Sequence, residues 1–497
     1  MSIRIGSNRE RPSAVPWALL FARIPGQGRS LQSRIRQMIT GAVLDGHLPS
    51  GAAIPSSRAL AEALDVARNT VVLAYQQLVA EGFLEPRPRS GFVVAPRIAT
   101  TPARPVLPGG STVAWSRRLI ATPSGQRNIT KPDDWQNRRY PFLYGQYDPT
   151  LFPRAEWRDC VRQAMSVLEV RDWAKDLIDG DDPELIEQLR TRVLPRRGIW
   201  AGADEIVITL GAQQALYLIS SLLVGPDTTV GIENPGYPDA RNILALRTSR
   251  LRPLPVDHAG LMVDNRLAGC DLVLLTPGHQ CPTTVTMPHH RREALLADAR
   301  AGDRIIVEDD YDTVDGLADE PVPALKSMDR DGRVIHVGSL SKTLAPGLRL
   351  GFVVAPAPVI KEARALRRLM LRHPPANNQR ALALFLAHGH HETVLRRMRK
   401  AFAERARVLE ESLRQHLPRL RWTMRPGSGG AWVEGPPDLN ATHLAERALG
   451  HGLLIEPGLP FFADLQPPEH YFRLGLSSIP TERIQPGIQL LGRLMRE

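Results

Sequence analysis

Two short segments in the second half of the chain carry side chains that could do covalent chemistry together. The first is Glu308–Asp312 (EDDYD), and the second is Gly338–Gly351, which contains Lys342. The chain has only six lysines among 497 residues, so a lysine inside so patterned a segment is easy to notice. A lysine amine can form a Schiff base with a carbonyl compound, and nearby carboxylates can hold the protons that such chemistry moves.

Three other motifs that use a lysine or a metal do not fit these segments. Ser339 and Lys342 have the Ser-x-x-Lys spacing of penicillin-binding enzymes, but no Ser-Asp-Asn or Lys-Thr-Gly follows them. The pair Lys342-Thr343 resembles the end of a phosphate-binding loop, but the glycine that should precede the lysine is missing. The chain contains no His-Glu-x-x-His, so a zinc hydrolase is unsupported, and no metal site is predicted.

The two segments match the needs of pyridoxal phosphate instead. That cofactor takes a lysine for its Schiff base and an aspartate for its pyridinium nitrogen, and Lys342 and Asp309 are suited to these tasks. Asp309 ends a predicted strand, and α/β proteins bind their ligands at the carboxyl ends of strands. The turn 209–214 leads into a helix and offers free N–H groups to a phosphate. Further candidates are Ser339, Ser341 and Arg349 for the phosphate, Tyr237 for stacking on the ring, and Tyr311 on the same side as Asp309.

From about residue 140 onward, strand-like and helix-like segments alternate along the chain. Short β-branched runs lie at 205–209, 229–232, 271–276, 304–309 and 333–338. Helical stretches rich in Ala, Leu and Arg lie between them, as at 211–223, 288–300 and 358–370. This alternation predicts an α/β fold with a mostly parallel sheet, followed after about residue 380 by a smaller α+β portion.

Residues 29–95 show a different pattern, which is typical of a winged helix-turn-helix. A helix is predicted at 31–45, two further helices flank a short break at Asp65-Val66, and two strands flank a basic turn. The second helix of such a motif presents its N-terminal residues to base edges in the major groove. The predicted DNA-binding residues are Ser56, Arg58, Arg68, Asn69, Thr70, Arg87 and Arg89.

The positive charge of the chain is concentrated near its beginning. The first 132 residues hold 17 basic and 6 acidic residues, so they carry the entire net charge of +11. This asymmetry favours an anionic partner, with nucleic acid as the first candidate, a membrane surface as the second and a merely Arg-rich soluble domain as the alternative. Residues 96–134 are rich in Pro, Gly, Ser and Thr and are predicted to be a linker. Three cysteines without a Cys-x-x-Cys pair favour a reducing cytosol, and no apolar run is long enough to span a membrane.

Both parts of the chain resemble known families. The stretch GHLPSGAAIPSSRALAEALDVARNTVVLAYQQLVAEGFLEPRPRSGFVV, residues 46–94, resembles the winged-helix domain of the GntR regulators. It departs from that family at Ala67, where a serine often stands that could cap the recognition helix or contact a phosphate. Residues 140–497 resemble fold-type I aminotransferases, and the two parts together resemble the MocR/GabR subfamily of GntR regulators.

The resemblance assigns roles to individual residues. It implies that Lys342 forms the internal aldimine, that Asp309 pairs with the ring nitrogen and that Tyr311 faces the ring hydroxyl. It implies that the phosphate is bound by Ala212, Gln213, Ser339, Ser341 and Arg349. It further implies that Arg473 binds the carboxylate of an amino acid, a task suited to the planar guanidinium.

Two segments depart from the aminotransferase pattern. His279–Thr284 lacks the glycine that ends the family's motif, and the resemblance implies that Gln280 is a neighbour of the ring. Leu177–Glu184 lacks a tyrosine that could reach the phosphate of a partner subunit. These departures bear more on transaminase turnover than on cofactor binding. Fold-type I sites normally lie between subunits, so the resemblance also implies a homodimer.

These observations together predict a cytoplasmic, pyridoxal phosphate-dependent transcriptional regulator that senses an amino compound through an external aldimine. Its domains are predicted at 29–95 (winged helix), 96–134 (linker) and 140–497 (aminotransferase-like effector domain). Its predicted partners are double-stranded DNA with two half-sites, a small amino compound and a second copy of the chain. The main alternative is an active aminotransferase with an accessory DNA-binding domain. A large domain that only dimerises is a third hypothesis, and the retained lysine, aspartate and arginine argue against it.

The arginines of the linker are predicted to contact the phosphate backbone of DNA. Residues 97–131 hold six basic residues and no acid. Neutralising Arg104, Arg117, Arg118 and Arg127 together should flatten the salt dependence of DNA binding without changing sequence preference, because fewer counterions are released. The measurement is the affinity for an operator and for an unrelated duplex over a range of salt concentrations. If the slope of DNA affinity against salt concentration is unchanged, the linker acts only as a spacer.

Overall fold

The computed structural model describes residues 15–25, 28, 30–87, 91–96, 113–146, 148–311, 322–340, 342–425 and 428–496. Two predicted site residues, Arg89 and Ser341, lie outside the described residues, as does Arg104 of the linker. The chain forms two compact units that divide between Ile120 and Ala121, inside the predicted linker. Within the described ranges, no helix has both the length and the apolar composition needed to cross a membrane.

The first unit is a helix-turn-helix followed by a wing. Its helices are α1 (Trp17–Ala22), α2 (Leu31–Leu44), α3 (Ser57–Leu64), α4 (Arg68–Ala80) and α5 (Trp115–Arg118), and its strands are β1 (Ala53–Ile54), β2 (Leu84–Arg87) and β3 (Gly91–Val94). The strands form an antiparallel sheet in the order β1-β3-β2. Asp65, at φ 52°, ends α3 in the left-handed conformation, and α4 begins three residues later.

The packing of the first unit explains why these helices form. Ser56 caps α3 by accepting a hydrogen bond from the Ala59 N–H at 3.2 Å. Ala67 occupies the equivalent position before α4 and offers no side-chain cap. Tyr75 is fully buried in the apolar core, and its hydroxyl donates to the Pro55 carbonyl at 2.8 Å. The hydrogen bond satisfies a polar group that burial would otherwise leave unpaired.

An eight-stranded sheet forms the larger part of the second unit. The strands are β5 (Ile206–Thr209), β6 (Val230–Asn234), β7 (Leu251–Asp257), β8 (Gly260–Leu261), β9 (Leu272–Leu275), β10 (Ile305–Asp310), β11 (Val334–Ser339) and β12 (Gly351–Val354). Their order is β5-β12-β11-β10-β9-β6-β7-β8. The central pairs are parallel, and β12 runs antiparallel to both its neighbours, so the predicted mostly parallel sheet is confirmed. The helices of this part are α9 (Ala212–Leu223), α10 (Pro238–Ala245), α11 (His289–Ala301) and α12 (Ala357–Leu371).

A smaller α+β portion completes the second unit. Its strands β13 (Arg421–Thr423), β14 (Gly430–Glu434), β16 (Glu456–Pro457) and β17 (Tyr471–Gly475) form a sheet in the order β13-β14-β17-β16, and β15 (Leu453–Leu454) pairs with β4 (Tyr140–Pro141). The remaining helices are α6 (Arg154–Ala164), α7 (Val167–Trp173), α8 (Pro183–Gln188), α13 (Ala376–Ala387), α14 (His390–His416), α15 (Ala441–Gly450) and α16 (Thr481–Leu494).

The strand directions bring several chain segments to one edge of the large sheet. The strands β5, β6, β10 and β11 run in the same direction, so their carboxyl ends lie at the same edge. The residues at these ends or directly after them include Asp309, Ser339 and the turn into α9. Ligands of open α/β sheets bind at such an edge, and the fold therefore positions the candidate residues for a common site.

Gly475 fixes the segment after β4 against the smaller sheet. A Cβ at this position would lie 2.0 Å from the carbonyl carbon of Leu143 and 2.1 Å from the Tyr144 nitrogen. We expect Gly475→Ala to lower the free energy of unfolding by about 2–3 kcal/mol, because backbone rather than a flexible side chain would have to move. Chemical denaturation of the variant and of Gly450→Ala, where nothing lies within 4 Å of the added carbon, provides the comparison. Equal stabilities for the two variants would contradict the close approach.

Candidate functional site

A cavity of about 370 Å³ lies at the carboxyl edge of the large sheet. Nine of the residues predicted for the cofactor and the effector line it: Ala212, Gln213, Tyr237, Asp309, Tyr311, Ser339, Lys342, Arg349 and Arg473. Ser341 is the one predicted residue of this set that falls outside the described ranges. The structure thus brings distant parts of the second unit to one cavity, while the role of each residue in binding stays a prediction.

Lys342 lies between two tyrosine rings. Its Nζ is 4.9 Å from the ring centre of Tyr311 and 5.0 Å from that of Tyr144. Gly145, at φ 65°, packs against it so closely that a Cβ would lie 3.0 Å from Nζ. Sequence reasoning missed Tyr144 and Gly145, whose only signal was a tyrosine-glycine pair in a stretch without helix or strand periodicity.

Asp309 presents an unpartnered carboxylate oxygen to the cavity. Its side chain is 3% exposed, and Oδ1 has no hydrogen-bond partner among the described residues. Burial raises the pKa of this carboxyl to about 7, although the Lys342 ammonium opposes the shift and Asp310 adds to it. A buried acceptor without a donor is costly, so the site fits a ligand that brings an N–H to Oδ1.

The acids on either side of Asp309 belong to a separate buried network. Glu308 accepts hydrogen bonds from the Leu325 N–H at 2.7 Å and from His336 Nδ1 at 3.0 Å. Asp310 forms a bidentate ion pair with Arg197, at 2.7 and 2.9 Å. Because side chains alternate across a strand, these two acids and Asp309 leave β10 on opposite faces. The network therefore fixes the strand without occupying the cavity.

An anion-binding corner forms where the N-terminus of α9 meets Arg349. Gly211 precedes the helix at φ 79°, and a Cβ there would lie 3.2 Å from a terminal nitrogen of Arg349. That guanidinium donates to the Leu210 carbonyl at 2.9 Å, which holds it beside the first turn of α9. Helix N-terminal amides next to a guanidinium suit a phosphate, as the sequence predicts for Ala212, Gln213, Ser339 and Arg349.

Tyr237 connects the cavity to the start of α10. Its hydroxyl lies 3.1 Å from Gln213 Oε1 and 3.0 Å from Asp239 Oδ2. Burial and the neighbouring Asp239 raise the pKa of Tyr237 well above its ordinary value, so the hydroxyl keeps its proton. The position is compatible with the predicted stacking of Tyr237 on a cofactor ring.

Arg473 is held by a glutamate that sequence reasoning missed. Its Nε donates to Glu456 Oε2 at 2.8 Å, and the two residues face each other across β16 and β17. The same Glu456 oxygen accepts the Tyr144 N–H at 3.2 Å. The guanidinium carbon lies 4.5 Å from the ring centre of Tyr144 and 4.7 Å from that of Phe461. An acid inside the apolar run LLIEP (453–457) was the signal for Glu456.

Gln280 holds a loop beside the cavity. Its Nε2 donates to the carbonyls of Pro235 and Cys281, each at 2.8 Å, and its Oε1 accepts from the hydroxyl of Thr283 at 2.6 Å. Cys281, rather than Gln280, lines the cavity, and burial raises the pKa of its thiol to about 11. Gln280 was expected to border the ring. In the structure, its side chain instead forms hydrogen bonds within the loop.

The predicted DNA-binding residues that the structure describes lie at the starts of α3 and α4 and at the end of β2. Arg68 and Asn69 open α4 and are exposed, Thr70 is half-buried, and Arg58 is exposed on the first turn of α3. Arg68 Nε lies 3.4 Å from the Ser57 hydroxyl, which connects the two helices. Ser56 is the cap of α3, and Arg87 is exposed at the end of β2. Their contacts with DNA stay predictions.

The buried carboxyl of Asp309 predicts a pH-dependent stability of the cofactor-free protein. Its folded-state pKa of about 7 lies above the ordinary value of 3.8, so between these values the folded state holds a proton that the unfolded chain has lost. This contribution is full below about pH 4 and declines as the pH rises to about 7. Asp309→Asn should make the decline shallower, measured by denaturation at several pH values, while Glu233, whose pKa burial also raises to about 7, keeps its own contribution. The exposed Asp227→Asn serves as the control, and identical pH profiles for all three proteins would contradict the assignment.

Comparison with protein families identifies both units. Residues 31–94 match the model of the bacterial regulatory proteins of the gntR family, and residues 158–491 match that of the class I and II aminotransferases. The chain is 43% identical to the HTH-type transcriptional regulator TauR of Rhodobacter capsulatus, over 97% of this chain and all of that protein. It is 31% identical to the probable rhizopine catabolism regulatory protein MocR of Rhizobium meliloti, over 93% of each chain.

Solved structures share the fold of the second unit. A kynurenine aminotransferase of Pyrococcus horikoshii in complex with PMP matches with a TM-score of 0.68 and 25% identity, over 78% of this chain and 99% of that one. LysN, an α-aminoadipate aminotransferase of Thermus thermophilus complexed with a phosphopyridoxyl-leucine, matches with a TM-score of 0.66 and 27% identity, over 77% and 98%. The chain belongs to the MocR/GabR subfamily of GntR transcriptional regulators, in which a winged helix-turn-helix is joined to a domain with the fold of class I and II aminotransferases.

Proposed function

We propose that this protein is a pyridoxal phosphate-dependent transcriptional regulator that binds DNA through its first unit and senses a primary amine in the cavity of its second unit. The observation that carries the proposal is the joint presence in one cavity of Lys342, the unpartnered Oδ1 of Asp309 and the anion-binding corner at α9. The regulator acts as a homodimer in the cytoplasm, where its two winged helices bind two half-sites of an operator.

The residues of the cavity fit the groups of the cofactor one by one. Asp309 would hold a proton on the ring nitrogen, since its Oδ1 is buried and has no other donor among the described residues. The N-terminus of α9 and Arg349 would bind the phosphate. Two of the similar solved structures are complexes with this type of cofactor, which supports the same assignment for a related fold. When bound, pyridoxal phosphate supplies an aldehyde that can be linked either to the lysine or to the amine of a small molecule.

The residues around Lys342 prepare the cavity for an incoming amine. Tyr144 and Tyr311 contribute aromatic rings that lie about 5 Å from the ammonium of Lys342, which itself is exposed to solvent. Gly145 leaves room for Nζ, which a larger residue would fill. The bond to Glu456 uses Nε of Arg473, and Nη1 makes only a long contact of 4.0 Å with the Cys281 sulfur, which a carboxylate of the amine can replace. The chain thus supplies an amine-exchange site with a carboxylate receptor beside it.

Regulation then follows from linkage between the two units. An amine that binds one arrangement of the DNA-binding units better than another shifts the population toward that arrangement. The same coupling free energy appears in the affinity for DNA and in the affinity for the amine. No covalent turnover is needed for this effect, which is why the regulator is preferred to the aminotransferase with an accessory domain.

Removal of the lysine amine tests the proposal. Lys342→Ala, loaded with pyridoxal phosphate, should lose the visible absorbance of the lysine-linked cofactor and every amine-induced change of that absorbance. Lys361→Ala, which removes an exposed lysine on α12, should behave like the wild type. An unchanged spectrum in Lys342→Ala would contradict the proposal.

The spectra also separate the regulator from the enzyme. With a panel of primary amines, the wild type should show a new absorbance that persists while the amine is present. Steady release of a keto acid or aldehyde over many turnovers, measured by a coupled assay, would favour the active aminotransferase instead.

A further inference from the structure

The cavity contains a cation that the proposed function does not use. Lys131 lines it, and its exposed side chain reaches Gln146, to whose Oε1 the Nζ donates at 2.8 Å. The amide oxygen of Gln146 is a neutral acceptor. In the described part of the chain, no carboxylate lies within ion-pair distance of Lys131 Nζ. Among the described residues, the Lys131 ammonium at the cavity therefore has no carboxylate that balances its charge.

The other cations of the cavity each have a task. Lys342 and Arg349 are assigned to the cofactor, and Arg473 is neutralised by Glu456 at 2.8 Å. A ligand that carries only an amine and the group at Arg473 would leave Lys131 unused. The unbalanced charge of Lys131 indicates that the ligand has a second group. This group is negative and lies near the solvent-exposed side of the cavity.

Lys131 belongs to a segment of the predicted linker that is bound to the second unit. This segment, residues 126–131, is called the strap below. Gln126 Nε2 donates to the Asn242 carbonyl at 3.2 Å, and Asn242 Nδ2 donates to the Arg127 carbonyl at 3.0 Å. Arg127 in turn donates to the Asp464 carbonyl at 3.0 Å. These hydrogen bonds hold the strap to two separate parts of the unit.

Two further contacts join the strap to the cavity itself. The Asn128 amide donates to Asp239, the same carboxylate that lies 3.0 Å from the Tyr237 hydroxyl. Ile129 packs in the aromatic cluster that contains Tyr237 and Tyr311. The strap is therefore a wall of the cavity, and a ligand in the cavity contacts the same chain segment that leads towards the DNA-binding unit.

We propose that Lys131 binds an anionic group at the far end of the amino effector, so that the linker itself forms part of the effector site. The proposal rests on the proposed function, because the amine of the effector must reach Lys342. The effector is then a primary amine that carries, besides the group bound at Arg473, a carboxylate or another oxyanion at a distance from its amino group. The charge-assisted bond to this anion replaces the weaker bond to Gln146 and restrains the strap, which a neutral amine does not do.

Matched pairs of amines test the proposal through the absorbance of the cofactor-loaded protein. The probes are L-glutamate against L-glutamine and L-aspartate against L-asparagine. Both members of each pair keep the carboxylate expected at Arg473, and only one carries the second anion. They are titrated into the wild type, Lys131→Met and Lys175→Met. Lys175 is an exposed lysine paired with Asp172 at 2.9 Å and serves as the matched control. In the wild type, the anionic member of at least one pair should bind more tightly. Lys131→Met should weaken that binding about tenfold, or about 1.4 kcal/mol, and leave the neutral member and the Lys175→Met protein unaffected.

Amide hydrogen exchange of the strap provides a second readout. The anionic amine should slow exchange at residues 126–131 in the wild type and in Lys175→Met, but not in Lys131→Met. Equal losses of affinity for both members of a pair in Lys131→Met would overturn the proposal, as would a wild type without preference for the anionic member. A spectrum that no amine changes would contradict the proposed function itself, and the proposal with it. The two failures are therefore distinguishable.

Discussion

The burial of the Asp309 carboxyl is the constraint on which the cavity depends. A carboxylate without hydrogen-bond donors is expensive to bury, and this one retains an oxygen without a partner among the described residues. The parallel pairing of β10 with β11 brings it to the edge where Lys342 follows β11. Lys342 opposes the rise in the pKa of Asp309, so the two residues stabilise each other's charge in the cofactor-free state. The Oδ1 without a partner remains an unfavourable feature of the site, which a ligand that donates an N–H to it would relieve.

The parts of this site that lie close together in sequence could be predicted from it. One segment contains Lys342, Ser339 and Arg349, and another contains Asp309 and Tyr311. The spacing within each segment therefore indicated the chemistry that these residues suit. The strands around them were predictable because β-branched runs alternate with helical stretches. The winged helix was predictable for a similar reason, since its apolar periodicity and turn residues are local.

The contacts that complete the site were not predictable, because they join residues far apart in the chain. Glu456 accepts the Tyr144 N–H across 312 positions, and it meets Arg473 only because β16 and β17 pair. Nothing in the local sequence of Glu456 indicates that partner. The contacts of the linker were not predictable for the same reason. Its composition predicts a spacer, yet residues 126–131 bind the second unit through side-chain and carbonyl hydrogen bonds, which leave no periodic pattern in a sequence.

In the proposed function, an amine in the cavity changes the affinity of the protein for DNA. The most direct measurement is the affinity of the cofactor-loaded protein for the DNA upstream of its own coding sequence, with and without a saturating amine that changes the cofactor absorbance. We expect affinities that differ about fivefold or more at fixed salt, which corresponds to a coupling free energy of about 1 kcal/mol. Identical affinities, with the amine demonstrably bound, would contradict it.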